Sequence, residues 1–342
     1  MKETMRAGVF EGEGVLKIKE VPVPMIQKAD DIILEVETCS ICGTDVHIMS
    51  VPPGYIAKPG TILGHELVGR VVEVGSGVLN FKPGDRVVSN PNDYCGVCRY
   101  CQLNLPNQCE NMIPMGIGAD GGFAEYVRVS EKVAHKISDS LPTEVAAFAE
   151  PLACLVNGMQ KIRINPGESA LVIGAGPIGL MFVQMAKAAG ASPVIVSEPS
   201  PLRRDYALKC GADFAVNPME TDVEAFVKEK TGIGSDYAID VVGSQIWEAV
   251  KAIRKGGKVL LFGVNAKAVP TVVQSQITFK EASILGTWLA NATFPKAVQI
   301  LESGVLKLKE LVTHNLPLGG LAEGIELMRK GEGIEILIDP KR

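Results

Sequence analysis

Two textures of apolar and polar positions divide the chain. In roughly the first 150 residues the apolar positions fall in short, partly alternating runs: Ile32-Ile33-Leu34-Glu35-Val36-Glu37, Leu67 to Val74, and Arg86-Val87-Val88, each bounded by Gly, Pro or Asp. Period-two runs of β-branched residues between turn formers predict strands, so this part reads as a small barrel-like or sandwich-like β unit. From about Ser169 the runs become short and almost wholly apolar: Ala170 to Ile173, Val194-Ile195-Val196, Ala238 to Val242, Lys258 to Phe262, and Ile284-Leu285. Stretches of helical length separate them. Buried strands alternating with helices predict βαβ units and a parallel sheet covered on both faces. Beyond it, Phe294 to Ser303 has the spacing of an amphipathic helix and Ile334 to Ile338 that of a last strand. That strand is expected to return to the N-terminal β unit. The expected division is thus residues 1–151 completed by 290–342, with 152–289 forming the α/β domain between them.

Composition narrows the function classes. A chain of 342 residues exceeds the usual size of one core, and 46% apolar with 21% charged residues is ordinary for a soluble globular protein. Lys plus Arg total 34 against 39 Asp plus Glu, a net charge of −5, with only 5% aromatics and no long run of like charges. Such a surface lacks the basic footprint that nucleic-acid or membrane-surface binding needs. Residues Met1 to Glu20 carry charges throughout and no apolar leader segment, and no uncharged apolar run reaches the length of about eighteen residues that marks a membrane span. A cytoplasmic location is expected. In a reducing compartment eight cysteines read as metal ligands or thiols rather than disulfides.

The run Leu171-Val172-Ile173 leads directly into Gly174-Ala175-Gly176-Pro177-Ile178-Gly179 and then the helix-like Leu180 to Ala189. The glycines permit a tight turn, close approach of a pyrophosphate and close helix–sheet packing, while the helix N-terminus offers free N–H groups and a positive dipole end. A lone GxGxxG is weak. Here strand and helix flank it, and Glu198 follows the next strand, nineteen residues after Gly179, where a carboxylate holds the ribose hydroxyls. A carboxylate there repels a 2′-phosphate, which favours NAD over NADP. Arg203 and Arg204 follow, and either could turn towards a 2′-phosphate, although their place on the next helix reads as that of ribose-edge or solvated residues.

Cys95, Cys98, Cys101 and Cys109 place four thiols on one short loop, enough to close a tetrahedral structural zinc. A looser constellation comprises Cys42-Gly43-Thr44-Asp45-Val46-His47, then Gly64-His65-Glu66 heading a strand, and Glu150 before Pro151. Cys42 and His65 are a soft and a borderline zinc ligand, and a carboxylate makes a third, with one position left for water or substrate. Spacing alone does not join them, since singly each is an ordinary core thiol, hydrogen-bonded imidazole or helix-terminal charge.

In their order, these motifs resemble the zinc-containing medium-chain dehydrogenases across nearly the whole chain. The resemblance implies a GroES-like β-barrel catalytic domain with a Rossmann domain, two zinc ions per chain, and an active site in the cleft between the domains. It matches Cys42 and His65 to catalytic zinc ligands, Glu66 to the acidic neighbour that approaches or ligates the metal, and Asp45 to the carboxylate that orients the histidine. It matches Thr44 to the hydroxyl that passes on the substrate proton and His47 to the outer member of that relay. Glu150 takes the third-ligand position, where polyol and threonine branches carry Glu; Cys154 is a weaker candidate and reads as a packed thiol. Gly174, Gly176, Pro177, Ile178, Gly179, Glu198 and Arg203 form the expected cofactor site.

The expected reaction is hydride transfer from a secondary hydroxyl of a polyol or sugar alcohol, phosphorylated or not, to NAD. Glu150-Pro151-Leu152 is similar to sorbitol, arabitol-phosphate and threonine dehydrogenases. Threonine dehydrogenases continue Gly-Asn where this chain has Ala153-Cys154, which lowers that option, so L-threonine 3-dehydrogenase or a general secondary-alcohol dehydrogenase is the alternative, and primary alcohols come third. Trp288 and the loop Pro52 to Lys58 are pocket candidates with equal claims as packing or oligomer contacts. A non-catalytic zinc- and NAD-binding module is the rival from another class, and it requires a broken constellation. The resemblance also implies a homotetramer or homodimer formed partly through the Rossmann sheet edge.

Overall fold

The structure, a computed structural model, describes residues 2–342. It divides into two units: the chain up to Ala153 with Ala290–Gly304 and Leu308–Arg342, and a second unit of Cys154–Leu289 with Val305–Lys307.

The first unit is built on a sheet ordered Val312–Pro317, Glu335–Asp339, Asp31–Ser40, Glu66–Val74, Arg86–Ser89 and Ala134–Lys136, with Tyr126–Ser130 also pairing Asp31–Ser40. Alternate positions supply its core: Ile32, Leu34 and Val36; Leu67 and Val71; Val127 and Val129; Ile336 and Ile338, around Phe123. This is the period-two pattern of a sheet with one face packed inward, each side chain contributing about 1.5–3 kcal/mol by leaving water. The last strand does return to the N-terminal sheet. Leu337 pairs with Ser40 and Ile338 with Cys39, antiparallel, and Thr38 Oγ1 donates to the Ile338 carbonyl at 3.0 Å. On the other side Ser40 pairs with Glu66. A hairpin, Thr4–Gly12 with Val15–Pro22, precedes this sheet. The sequence reading did not assign it; its second strand is largely exposed, although Leu16-Lys17-Ile18-Lys19 alternates.

The second unit holds a six-stranded parallel sheet in the order Phe214–Val216, Val194–Ser197, Ala170–Ile173, Ser235–Asp240, Ile253–Leu261, Ser283–Gly286. One strand ends earlier than its apolar run. Asp240 accepts the N–H groups of Val242 and Gly243 on Oδ1, each at 2.9 Å, and that of Gln245 on Oδ2 at 2.8 Å, turning the chain at Val242, just after the Val241 N–H has donated to the Ile173 carbonyl at 3.2 Å. No helix among the described residues is long and apolar enough to cross a membrane.

Candidate active site

Cys42 lies at the N-terminus of the short helix Gly43–Ile48, and its N–H donates to Asp45 Oδ2 at 2.9 Å. That bond fixes the turn and buries the Asp45 carboxyl completely. Thr44 and His47 stand three residues apart on the same helix, hence on neighbouring positions of one face. The Thr44 hydroxyl is 3.7 Å from Cys42 Sγ, and His47 is exposed. Gly64 has φ +91°, and a Cβ there would stand 2.8 Å from both Cys39 Sγ and Phe123 Cγ. Only glycine fits this turn, which brings His65 and Glu66 to the head of the strand Glu66–Val74.

The ligand atoms of Cys42, His65 and Glu66 all lie within 4.8 Å of one another. The electrostatics of this group call for a cation. Burial pushes the Cys42 thiol well up, and the carboxylates of Glu66, Asp45 and Glu150 push it further. Burial likewise raises Glu66 to about 7, and raises Asp45. For His65, burial opposes protonation, but Asp45, Glu66 and Glu150 outweigh it and the ring is raised. So many buried acids cannot all ionise unaided. Asp45 Oδ1 and His65 Nδ1 are 4.0 Å apart, both buried and both without a hydrogen-bond partner. With Nδ1 turned to Asp45, Nε2 is the nitrogen free to bind a metal. A thiol, an imidazole and a carboxylate so arranged fit an open zinc site, with Asp45 behind the histidine.

Cys95, Cys98, Cys101 and Cys109 form a second set with the same mutual reach. Their sulfurs stand 3.5 Å (Cys95 to Cys109), 3.6 Å (Cys98 to Cys101) and 3.8 Å (Cys98 to Cys109) apart. Zn–S bonds of about 2.3 Å in a tetrahedron give edges of roughly 3.8 Å, so the spacing fits a closed zinc site and not disulfides. Amide donors from Val97 and Asn111 lower the Cys95 thiol to about 6, whereas burial and the neighbouring thiols push Cys101 up to about 12. Without a cation the four do not share one charge state.

In the second unit the helix Pro177–Ala188 starts straight after the strand Ala170–Ile173, and no side chain caps it. The N–H groups of Ile178 and Gly179 are therefore available to a ligand. A Cβ on Gly179 would stand 2.1 Å from the Gly174 carbonyl oxygen, which explains the third glycine, while one on Gly176 would meet open space. Glu198 is buried at the end of the next strand; Oε2 accepts from Ala175 N–H at 2.8 Å and Oε1 from Ser200 N–H at 2.9 Å. The carboxylate thereby fastens the glycine turn. Arg203 Nε is buried without a hydrogen-bond partner, whereas Arg204 is spent on the carbonyls of Glu198 and Pro199. An uncapped helix start, an open glycine, a buried carboxylate at the end of the next strand and an unpaired guanidinium nitrogen on the following helix fit a dinucleotide.

Residues 28–139 match the family model of the alcohol dehydrogenase GroES-like domain, and residues 177–303 that of the zinc-binding dehydrogenase. The chain is a zinc-containing medium-chain dehydrogenase. It is 34% identical to an L-threonine 3-dehydrogenase of Caldanaerobacter subterraneus subsp. tengcongensis over 96% of each chain. It is 32% identical to the sorbitol dehydrogenase of Bacillus subtilis over 99% of this chain and 98% of that one. Among solved structures, one described as a zinc-binding dehydrogenase from Sinorhizobium meliloti 1021 bound to NADP superposes with a TM-score of 0.94. It is 32% identical over 99% of this chain and 100% of its own. The dehydrogenase is accordingly an alcohol dehydrogenase-type oxidoreductase with a GroES-like and a Rossmann-like domain, and its family uses zinc and a nicotinamide cofactor.

Not every expected residue joins the three-ligand set of this dehydrogenase. Glu150 lies outside it, in the first turn of the helix Ala149–Ile162, buried, and acts on Cys42, His65 and Glu66 through its charge. Cys154 is a buried thiol on that helix. In the loop Pro52 to Lys58, Gly54 N–H donates to the His47 carbonyl at 2.9 Å, and Tyr55 and Ile56 are exposed. The Trp288 carbonyl accepts from Asn157 Nδ2. Sequence reasoning passed over Ser40 and Glu335, two polar residues inside apolar strands that meet through a hydrogen bond from Ser40 Oγ to Glu335 Oε1. Nothing local in either stretch marks them.

Proposed function

We propose that this dehydrogenase oxidises a secondary hydroxyl of a polyol or sugar alcohol, with NAD as acceptor. The observation that carries the reading is the convergence of Cys42, His65 and Glu66 beside the Thr44 hydroxyl. Cys42, His65 and Glu66 hold the catalytic zinc with Glu150 as the further carboxylate acting on the same group, and Cys95, Cys98, Cys101 and Cys109 hold a second, structural zinc, two per chain. Lewis-acid polarisation of a hydroxyl oxygen is what the catalytic zinc supplies when bound. The nicotinamide would supply the acceptor for the hydride from the carbon that bears the hydroxyl, so alcohol becomes ketone as one hydride (two electrons and a proton) leaves the carbon and one further proton leaves the hydroxyl.

The chain's own residues manage the proton and the geometry. Thr44 takes the hydroxyl proton and passes it along the helix face to His47, which stands in solvent and releases it. Asp45 fixes the imidazole of His65. Gly174, Gly176, Pro177, Ile178 and Gly179 cradle the pyrophosphate at the helix start, and Glu198 with Arg203 holds the adenosine ribose. Glu198 opposes a 2′-phosphate, which is why NAD is favoured even though a similar protein has been solved with NADP.

Threonine oxidation is the second reading, favoured by the threonine dehydrogenases among the relatives. Ala153-Cys154 after Glu150-Pro151-Leu152 speaks against it. Initial rates of NADH and NADPH formation with sorbitol, xylitol, arabitol, inositol, their phosphates and threonine separate the two; failure on every polyol rejects the first. We place the enzyme in the cytoplasm as a homo-oligomer, in keeping with an unpaired sheet edge at Ser283–Gly286 and exposed Val269 and Phe279 nearby in sequence. Light scattering tests the assembly.

A further inference from the structure

One buried carboxylate of the first unit has no part in the reaction described above. Glu335 is 3% exposed, on the strand that closes the sheet beside Asp31–Ser40. Its backbone is pinned, since its carbonyl accepts from Thr313 Oγ1 at 3.1 Å. Burial raises its carboxyl well above the usual range and the charge on Glu66 raises it further, so the two carboxylates lie within each other's field. Between them stands Ser40.

The register makes this a row across one face of the sheet. Ser40 pairs directly with Glu66 on one side and with Leu337 on the other. Directly paired residues of antiparallel strands project to the same face, and so do residues two apart along a strand. Glu335, two residues before Leu337, therefore shares the face of Ser40 and Glu66 and reaches Ser40 diagonally. Ser40 has one hydroxyl proton. It donates that proton to Glu335 Oε1.

A buried hydroxyl does not stay without an acceptor. If Glu335 were absent, the carboxylate left facing Ser40 from the paired strand would be that of Glu66, the residue read above as a zinc ligand. A hydrogen bond from Ser40 would then compete with the metal for a Glu66 oxygen. We infer that Glu335 is a positioning residue: it draws off the Ser40 hydroxyl proton and so leaves the Glu66 carboxylate free to bind the metal. The inference rests on the reading of Cys42, His65 and Glu66 as the catalytic zinc site. It assigns Glu335 no contact with substrate.

The test is cobalt(II) binding to the full chain, followed by the thiolate-to-cobalt absorption band and by competition with a chelator. Cys42→Ala identifies the share of signal that belongs to the catalytic site. Glu335→Leu should weaken that site about tenfold or more, the range set by residues that orient metal ligands, and leave the Cys95–Cys109 site unchanged. Glu335→Gln keeps an acceptor oxygen for Ser40 and should stay within about twofold of the unsubstituted chain. Adding Ser40→Ala to Glu335→Leu removes the competing proton and should restore most of the lost affinity, which a merely structural role would not do. Should Glu335→Leu fail to fold by circular dichroism, Glu335→Met takes its place. Unchanged affinity in the single variant, or a double variant no tighter than the single, overturns the inference alone. If Cys42→Ala loses no cobalt signal, the zinc-site reading falls and this inference with it.

Discussion

Asp45 Oδ1 faces His65 Nδ1 across 4.0 Å, and neither atom has another hydrogen-bond partner although both are buried. A carboxylate so placed selects the imidazole tautomer with the proton on Nδ1 and leaves Nε2 as the ligand. Asp45→Asn keeps an oxygen for the Cys42 N–H and removes the charge. It should lower zinc affinity about 10- to 100-fold, with a matching loss of activity at limiting zinc and little change in NAD binding. Metal analysis after dialysis against a chelator measures it; full retention of zinc would show that Asp45 does not hold the histidine.

The adenosine end of the cofactor depends on Glu198, whose two oxygens already take the N–H groups of Ala175 and Ser200. Replacing Glu198 by Gln removes the charge that opposes a 2′-phosphate and weakens the hold on the ribose. The kcat/KM with NAD should fall about tenfold and that with NADP should rise, a charged hydrogen bond being worth roughly 1.5–3 kcal/mol. Steady-state kinetics with both cofactors decides, and an unchanged ratio would remove Glu198 from cofactor selection.

His135 stacks on Phe294 with ring centroids 5.1 Å apart and planes at 11°, and burial lowers its pKa from 6.5 to about 4. The folded state thus resists a proton that the unfolded chain accepts. Stability from this group is complete above pH 6.5 and declines as pH falls towards 4, by at most about 3 kcal/mol at 1.36 kcal/mol per pKa unit. His135→Phe should flatten that part of the profile. Denaturant melts of both proteins across this range, compared by difference, give the contribution; identical slopes would contradict it.

Legibility in the sequence followed the distance over which each constraint acts. The glycine turn from Gly174 to Gly179 and the cysteines from Cys95 to Cys109 are set by neighbours a few residues away, so spacing alone exposed them. Cys42 and His65 are separated by the helix Gly43–Ile48 and the loop that leads through Gly64, and only the ordered resemblance joined them. It also pointed to both Glu66 and Glu150 as carboxylate partners of the metal, and of the two Glu66 falls in the tight set with Cys42 and His65. Ser40 and Glu335 lie 295 residues apart and meet only once the last strand has docked. Val242 looked like strand because it is β-branched, but the Asp240 side chain captures its amide and those of Gly243 and Gln245 and overrides propensity.

Cys42 is the ligand on which the catalytic reading depends most, and zinc content measured beside turnover tests it directly. The intact chain should carry two zinc ions and oxidise a polyol with NAD; Cys42→Ala should carry one, keep NAD binding, and lose turnover. A Cys42→Ala protein with one zinc fewer and normal activity would contradict the reading, as would an intact chain that holds zinc only at Cys95, Cys98, Cys101 and Cys109.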